Sequence, residues 1–424
     1  MRWSGLALLV VAGLAAEGRA DVLRILDDPR EAAQARVDII QQAREEIDAV
    51  YFLARNDRIT LTALALLRDA RRRGVGSVRL IVDANFQHIP RPVLGHLRDE
   101  GVEVRVYHPI SLRHPSWLFR RMHEKFVVVD GERYIAGGRN LAESYFGLGD
   151  EVNFADRDVY VDGPSAAETK RHFEALWSSR HVADLWTHVS VAERKRAGEL
   201  LDEAARELVC DGFLELNTGR DWSRGRKDIA AVRFLHDSAG GGPQVTDGIL
   251  EALRQATRSI VIETPYLVPS KELIELLEKK LSEGVYVLIV TNSLRSIDGV
   301  LPHAGYIKYR RRLIRAGIDM REYKGPDSLH AKSVVVDGRV ALVGSYNVDP
   351  RSANLNTEVM CVADDEEVAR ELLEAIDVHV RNAWRVDHNG RPPREERAPM
   401  RVSIAKSFRA WAARLILPLI EGQL

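Results

Sequence analysis

Apolar positions along this chain alternate between two spacings. From Asp28 towards Ala49 they recur near helical intervals (Ala32, Ala35, Val37, Ile40, Ala43), which predicts an amphipathic helix. A short strand over Ile47–Leu53 follows. The stretch Leu61–Arg73 is helical again and stops at three Arg and Gly74. Val78–Val82 is a nearly unbroken apolar run, as a strand covered on both faces requires. A helix is predicted near Pro92–Glu100, and a strand over Val102–Val106 that ends before Pro109. The second half repeats the order: helix Thr246–Ser259, strand Ile260–Thr264, helix Lys271–Ser282, strand Val285–Thr291, helix Tyr306–Ala316, strand Ile318–Tyr323. Strands linked by helix-length segments predict an α/β fold, with two lobes that each hold a mixed, mostly parallel sheet flanked by helices.

The repetition extends to single residues. Gly101-Val-Glu-Val-Arg-Val-Tyr107 matches Gly317-Ile-Asp-Met-Arg-Glu-Tyr323, and Asn85 and Asn292 end equivalent strands. The strongest match is His123-Glu-Lys125-Phe-Val-Val-Val-Asp130 with His330-Ala-Lys332-Ser-Val-Val-Val-Asp337. Over the eighteen positions His123–Asn140 and His330–Asn347, nine residues are identical. A duplicated domain follows: a first lobe over 21–190, a connector over 191–235 and a second lobe over 236–390. The leader 1–20 and a basic amphipathic tail over 391–424 flank them.

On a strand, residues two apart point to one face, so His123 and Lys125 project together, as do His330 and Lys332. Lobes packed with pseudo-twofold symmetry then bring two imidazoles and two ammonium groups to one interface. Two imidazoles suit a nucleophile and a separate general acid, and two Lys with Asn140 and Asn347 suit the charge of a phosphoryl group. Gly137-Gly138 and Gly344-Ser345 let backbone N–H groups approach the same oxygens. An imidazole needs a partner on its other nitrogen, and Asp158 and Glu358, each at the start of a short apolar strand, are the candidates. Asp130 and Asp337 complete the two motifs, but Asp-Gly at a strand end is first a turn signal. His-x-Lys puts a cation beside the would-be ligand, which argues against a metal site.

Composition narrows the class. The formal net charge of −1 lacks the basic excess of a dedicated nucleic-acid binder, and two cysteines, Cys210 and Cys361, exclude a disulfide scaffold and a Cys-based zinc site. Arg2, the apolar run Gly5–Ala16 and Gly18-Arg19-Ala20 form the pattern of a secretory signal peptide. An uncleaved membrane anchor is the alternative. In Ser403–Ile420, Ile404, Phe408, Trp411, Leu415 and Leu419 fall on one side, with Lys406, Arg409 and Arg414 elsewhere. That helix suits either the surface of an anionic membrane or the protein's own core.

The paired His-x-Lys-x4-Asp-x6-Gly-Gly/Ser motifs resemble the phospholipase D superfamily. Arg121-Met-His-Glu-Lys125, Gly137-Gly-Arg-Asn140, Pro265-Tyr266-Leu-Val-Pro269, His303-Ala-Gly-Tyr306 and Gly344-Ser-Tyr-Asn347-Val-Asp-Pro-Arg351-Ser resemble its bacterial cardiolipin synthase branch. The resemblance runs from about Asp28 to Trp384. It implies a phosphatidyltransferase with an active site at the lobe interface and no metal or cofactor. His123 would form a phosphohistidine and His330 act as acid and base, with Glu358 orienting His123 and Asp158 orienting His330. Gly138, Ser345, Tyr266, His303 and Tyr306 would line the substrate pocket. Substrates would be phospholipids such as phosphatidylglycerol or phosphatidylethanolamine, on the extracytoplasmic face of a bacterial membrane. Water as acceptor would make the enzyme a phospholipase D. A nuclease is disfavoured by the charge and the tail, and a dead lipid-binding scaffold would not need both imidazoles. Glu124, an acidic middle residue in the first motif, departs from the pattern and would point away from the site.

Overall fold

A computed structural model describes residues 19–185, 188–229, 232–387 and 406–413. The leader, most of the tail and its Ile404, Arg414, Leu415 and Leu419 lie outside them. The first sheet uses β1 (Asp21–Leu26), β2 (Glu46–Tyr51), β3 (Ser77–Asp83), β4 (Glu103–Tyr107), β5 (Lys125–Val129) and β6 (Arg133–Gly137). Beyond the two-residue β7 (Phe154–Ala155) it adds β8 (Asp158–Asp162), β9 (Val182–Asp184) and β10 (Asp228–Ile229), in the order β10-β1-β8-β6-β5-β2-β3-β4-β9. The second lobe contains β11 (Val232–His236), β12 (Ser259–Glu263), β13 (Tyr286–Asn292), β14 (Asp319–Tyr323), β15 (Ser328–Leu329), β16 (Ser333–Val336), β17 (Val340–Gly344), β18 (Val359–Asp364) and β19 (Ala383–Arg385). Its sheet runs β11-β18-β17-β16-β12-β13-β14-β19, while β15 pairs with β7 across the lobes. Both sheets are mixed. Parallel pairing is confined to β2-β3-β4 and β12-β13-β14, where crossover helices join the strands, and the motif strands pair antiparallel to their neighbours.

The flanking helices are α1 (Pro29–Gln41), α2 (Arg58–Arg72), α3 (Arg91–Asp99), α4 (Ala166–Trp177), α5 (Val191–Cys210), α6 (Gln244–Arg254), α7 (Lys271–Ser282), α8 (Val300–Ala316), α9 (Pro350–Asn354) and α10 (Glu366–Arg381). Asp28 caps α1 through Glu31 N, with Pro29 in the first turn, and Asp57 caps α2 through Thr60 N. The helix expected to continue to Ala49 ends at Gln41. The Asp130 carboxylate accepts the N–H groups of Arg44, Glu45 and Glu46 and turns the chain into β2.

Three apolar layers result. One covers the outer face of the first sheet beneath α1, α2 and α5, and another the outer face of the second beneath α6 and α7. The middle layer joins the lobes: Phe126, Tyr134 and Val161 of the first share it with Phe234, Val343 and Cys361 of the second, and α4 and α10 contribute to it. Every residue of β5 and β16 is therefore buried. The stretch expected as a separate connector belongs to the lobes. Leu201, Leu208 and Trp222 enter the first lobe's core, β10 extends its sheet, and β11 begins the second lobe at Val232.

Candidate active site

Each motif His is held by the opposite lobe in the same way. His123 N–H donates to Thr357 O (3.0 Å), and both oxygens of Glu358, the next residue, lie 3.0 Å from His123 Nδ1. His330 N–H donates to Ala155 O (2.7 Å), and Oδ2 of Asp156, the next residue, lies 2.6 Å from His330 Nδ1. With Nδ1 bonded to a carboxylate, Nε2 is the nitrogen each ring keeps for chemistry. Both rings are almost fully buried.

The carboxylate at His330 is thus Asp156, in place of the expected Asp158. Asp158 is buried and accepts from Arg36 (3.0 Å) and Arg139 (3.1 Å), stiffening the strand behind the site. Strand register explains the difference. Gly137 pairs with Asp158 as Gly344 pairs with Met360, so the structural counterpart of Glu358, two residues before Met360, is Asp156.

Burial pushes Glu358 up, and Lys125, Ser345, Ser352 and Asn356 only partly oppose it, so its carboxyl titrates at about 7. Ser345 Oγ (2.5 Å), Ser352 Oγ (2.7 Å) and Asn356 Nδ2 (3.3 Å) donate to it. Burial also acts on Asp156, but the charges of Lys332 and His330 outweigh it and hold that carboxyl far below the usual range. Desolvation, aided by the neighbouring lysines, lowers His123 well below the ordinary imidazole value and lowers His330 as well, where the carboxylate of Asp156 opposes it.

Lys125 and Lys332 are buried, and each ammonium donates to the carbonyl of its own motif His. Burial lowers Lys125 to about 7 and lowers Lys332 as well. Lys332 Nζ lies 3.2 Å from His330 Nε2, and Lys125 Nζ lies 5.1 Å from the Phe52 ring centre. Phe52 packs edge-on against His123, while Tyr145 and Phe154 pack edge-on against His330. Asn140 and Asn347 are buried; Asn140 Oδ1 accepts from Leu53 N (3.1 Å), leaving its amide N–H groups as donors.

Four other expected residues take different roles. Asp130 and Asp337 sit at the far end of the motif strands, roughly 20 Å along the chain from their His. Both have left-handed backbones (φ 54° and 56°), and each carboxylate gathers backbone N–H groups at the start of the neighbouring strand, Arg44–Glu46 and Thr257–Ser259. They are turn residues, not catalytic ones. Gly138 and Ser345 also back the acids instead of facing substrate. Gly138 N–H donates to Arg157 O (3.0 Å) and Ser345 N–H to Val359 O (2.9 Å), so these backbone donors are spent in the sheet. A Cβ on Gly138 would lie 2.0 Å from Asp156 Oδ1, which is why this position has no side chain.

Of the remaining pocket candidates, Tyr306 is in the core with its hydroxyl on Glu322 (2.8 Å), and His303 is buried against its ring. Tyr266 is only partly buried, its hydroxyl 2.9 Å from both oxygens of Asp298. Asn292 anchors Tyr266's neighbourhood to the motif. Its side chain donates to Pro265 O and Leu329 O and accepts from Leu329 N. The first-lobe counterpart is Asp83, which accepts from Met122 N and from Arg121, rather than Asn85 two residues on. Glu124 turns to the other face of its strand, where it is buried with Oε2 2.7 Å from His172 Nε2. Among the described residues, no cluster of three or more His, Cys, Asp or Glu has the geometry to hold a metal ion.

Two lobes that exchange carboxylates to orient a pair of imidazoles, with a lysine beside each, define a phospholipase D-type enzyme. The family model described as cardiolipin synthase, phospholipase D-like domain, matches residues 37–177 and 249–379. The chain belongs to this family, and at family level it is a phospholipid phosphatidyltransferase. It is 29% identical over 390 residues to cardiolipin synthase C of Escherichia coli K12, covering 81% of this chain and 82% of that one. It is 27% identical to the minor cardiolipin synthase of Bacillus subtilis 168, covering 80% and 76%. Phosphatidylserine synthase of Haemophilus influenzae shares the fold, with a TM-score of 0.70 at 17% identity over 95% of each chain.

Proposed function

We propose that this enzyme moves a phosphatidyl group from one phospholipid to the hydroxyl of another through a phosphohistidine on His123. The crossed His–carboxylate pairs carry the reading. His123, neutral and beside a carboxyl that titrates at about 7, is suited to attack phosphorus through Nε2. His330, beside a carboxylate held ionised, is suited to carry a proton between steps. The P–N bond forms as the P–O bond to the headgroup breaks, and the departing alkoxide takes the Nε2 proton of His330, which enters this step as the imidazolium paired with ionised Asp156. The acceptor hydroxyl then returns a proton to His330 as its oxygen displaces His123. Lys125, Lys332, Asn140 and Asn347 balance the charge on the equatorial oxygens. No step uses a metal, so a chelator is expected to leave the rate unchanged.

The substrates are phospholipids such as phosphatidylglycerol or phosphatidylethanolamine, taken from the extracytoplasmic face of a membrane. The tail supports contact with a membrane surface: in the helical segment 406–413, Phe408 and Trp411 are exposed while Ala410 and Ala413 pack inward. Among the described residues no helix is long and apolar enough to cross a membrane.

The test is incubation with phosphatidylglycerol, with and without phosphatidylethanolamine, and mass spectrometry of the products. Cardiolipin is the expected product, and phosphatidic acid alone would make the enzyme a hydrolase. Lipid left intact while single-stranded DNA is cut would overturn both readings. His123→Ala and His330→Ala should each abolish turnover, and with a phosphatidyl ester whose leaving group needs no proton, phosphate-labelled enzyme should accumulate only in the latter.

A further inference from the structure

Between β4 and the first motif the chain makes a closed excursion over residues 109–120. Its ends meet at His108, whose Nδ1 lies 2.9 Å from Arg120 O and whose Nε2 lies 2.8 Å from His181 Nδ1. His108 has a left-handed backbone (φ 48°), which turns the chain out of the sheet. Trp117 stacks on His108 (ring centres 4.6 Å, planes 8° apart) and on His114 (4.4 Å), so the base of the loop is built and rigid. The second lobe clamps it: Arg351 Nη2 donates to Phe119 O (3.0 Å) and Arg120 Nη1 to Gly240 O (3.2 Å).

The outer part of this loop is apolar and faces solvent. Ile110 is 84% exposed, Leu112 100%, Leu118 56% and Phe119 46%. A loop with a stacked, hydrogen-bonded base holds these side chains out at a standing cost unless something apolar receives them. The charges say what receives them. Residues 109–120 carry the exposed Arg113 and the half-buried Arg120 and no acid. Three residues after Arg120 comes His123 itself, so the base of the loop adjoins the first motif.

A second element of the same character flanks the His330 side. Lys406 Nζ donates to Arg295 O (3.1 Å) and Ile297 O (2.6 Å), pinning segment 406–413 beside Asp298 and Tyr266. From there the exposed Phe408 and Trp411, with rings 5.8 Å apart, and the exposed Arg409 project.

We propose that loop 109–120 is a membrane-docking prong that inserts Ile110, Leu112, Leu118 and Phe119 into the interface of an anionic bilayer, with Phe408 and Trp411 as a second contact, so that the motif His pair is held close to the headgroups. This rests on the phospholipid reading above and adds how substrate is reached. The occupant is a bilayer rather than a second copy, because an acid-free basic loop would repel its own image and is complementary to anionic headgroups.

The test uses the full chain with Ile110→Glu/Leu112→Glu, two surface changes away from the catalytic groups. Co-sedimentation with phosphatidylglycerol vesicles and turnover in them should both fall tenfold or more, at about tenfold for each buried aliphatic side chain exchanged for a charge. Turnover of a short-chain phosphatidylglycerol kept below its micelle-forming concentration should stay at the wild-type rate. Trp411→Glu should weaken vesicle binding further in the triple variant. Wild-type vesicle binding by the double variant would overturn the proposal. So would unchanged vesicle binding with loss of a dimer in sedimentation velocity, which would assign the patch to a second copy. If wild-type enzyme turns over neither form of lipid yet binds vesicles through this loop, the phospholipid chemistry fails and the docking surface stands.

Discussion

Two buried carboxylates that hold equivalent imidazoles differ in charge. Burial raises Glu358 to about 7 despite Lys125 and its hydroxyl and amide donors, while Asp156, against Lys332 and His330, stays ionised far into acid. Glu358 and Lys125, which also titrates at about 7, therefore share the neutral range. Turnover should rise with pH as Glu358 ionises and fall as Lys125 loses its proton, a bell near pH 7, and Glu358→Gln should remove the rising limb; a pH–rate profile of the two enzymes decides it. Stability carries the opposite sign. Folded Glu358 keeps a proton that the unfolded chain has lost above about 4.5, so its contribution is greatest at low pH and falls as pH rises towards 7. Asp156, lowered on folding, stabilises above the unfolded value near 3.8 and loses that contribution in acid. Gly138→Ala should displace Asp156, because its methyl would lie 2.0 Å from Oδ1. The expected result is a loss of turnover of about a hundredfold with the circular dichroism spectrum retained. The repeated His, Lys and Asn were visible in the chain because catalysis needs the same residue twice. Asp156 was not, because choosing between it and Asp158 takes the pairing of Gly137 in the sheet.

At the scale of elements, periodicity located the crossover helices and the three parallel strands of each lobe, where the pattern is set by burial nearby. It missed β1, β11 and the ends of α1 and α6, which are fixed by distant partners. β1 forms because β8 and β10 flank it, and α1 stops short of Arg44–Glu46, whose N–H groups Asp130, far along the chain, collects. Arg157 joins elements in the same non-local way. Fully buried, it donates from β8's approach to Glu263 of β12 and to Ser333 Oγ (2.8 Å) of β16, and to Asp27 (2.8 Å). Arg157→Ala would leave Glu263 with His379 alone. A loss of about 3–5 kcal/mol follows for an uncompensated buried charge, measurable by urea denaturation. Arg157→Lys should recover only part of it, since one ammonium does not span both lobes' acceptors.

For the whole molecule, the shared middle layer means that neither lobe has a complete core. Phe126, Tyr134 and Val161 would meet water without Phe234, Val343 and Cys361. Residues 19–229 and 232–387 expressed apart should be insoluble or molten and inactive, and co-expression should restore a soluble, active pair. Size-exclusion chromatography and lipid turnover of the mixture check this. That the chain is two copies was legible from the repeat. How they share a core was not, because an apolar strand reads the same whether a helix or a second sheet covers it.

The crossed carboxylates make the site a property of the two lobes together. Neither imidazole is oriented by its own half of the chain, so a change that loosens the packing between the sheets disturbs both His–carboxylate pairs at once. Because the two acids differ in proton affinity, two motifs that match in sequence hold their imidazoles in unlike surroundings.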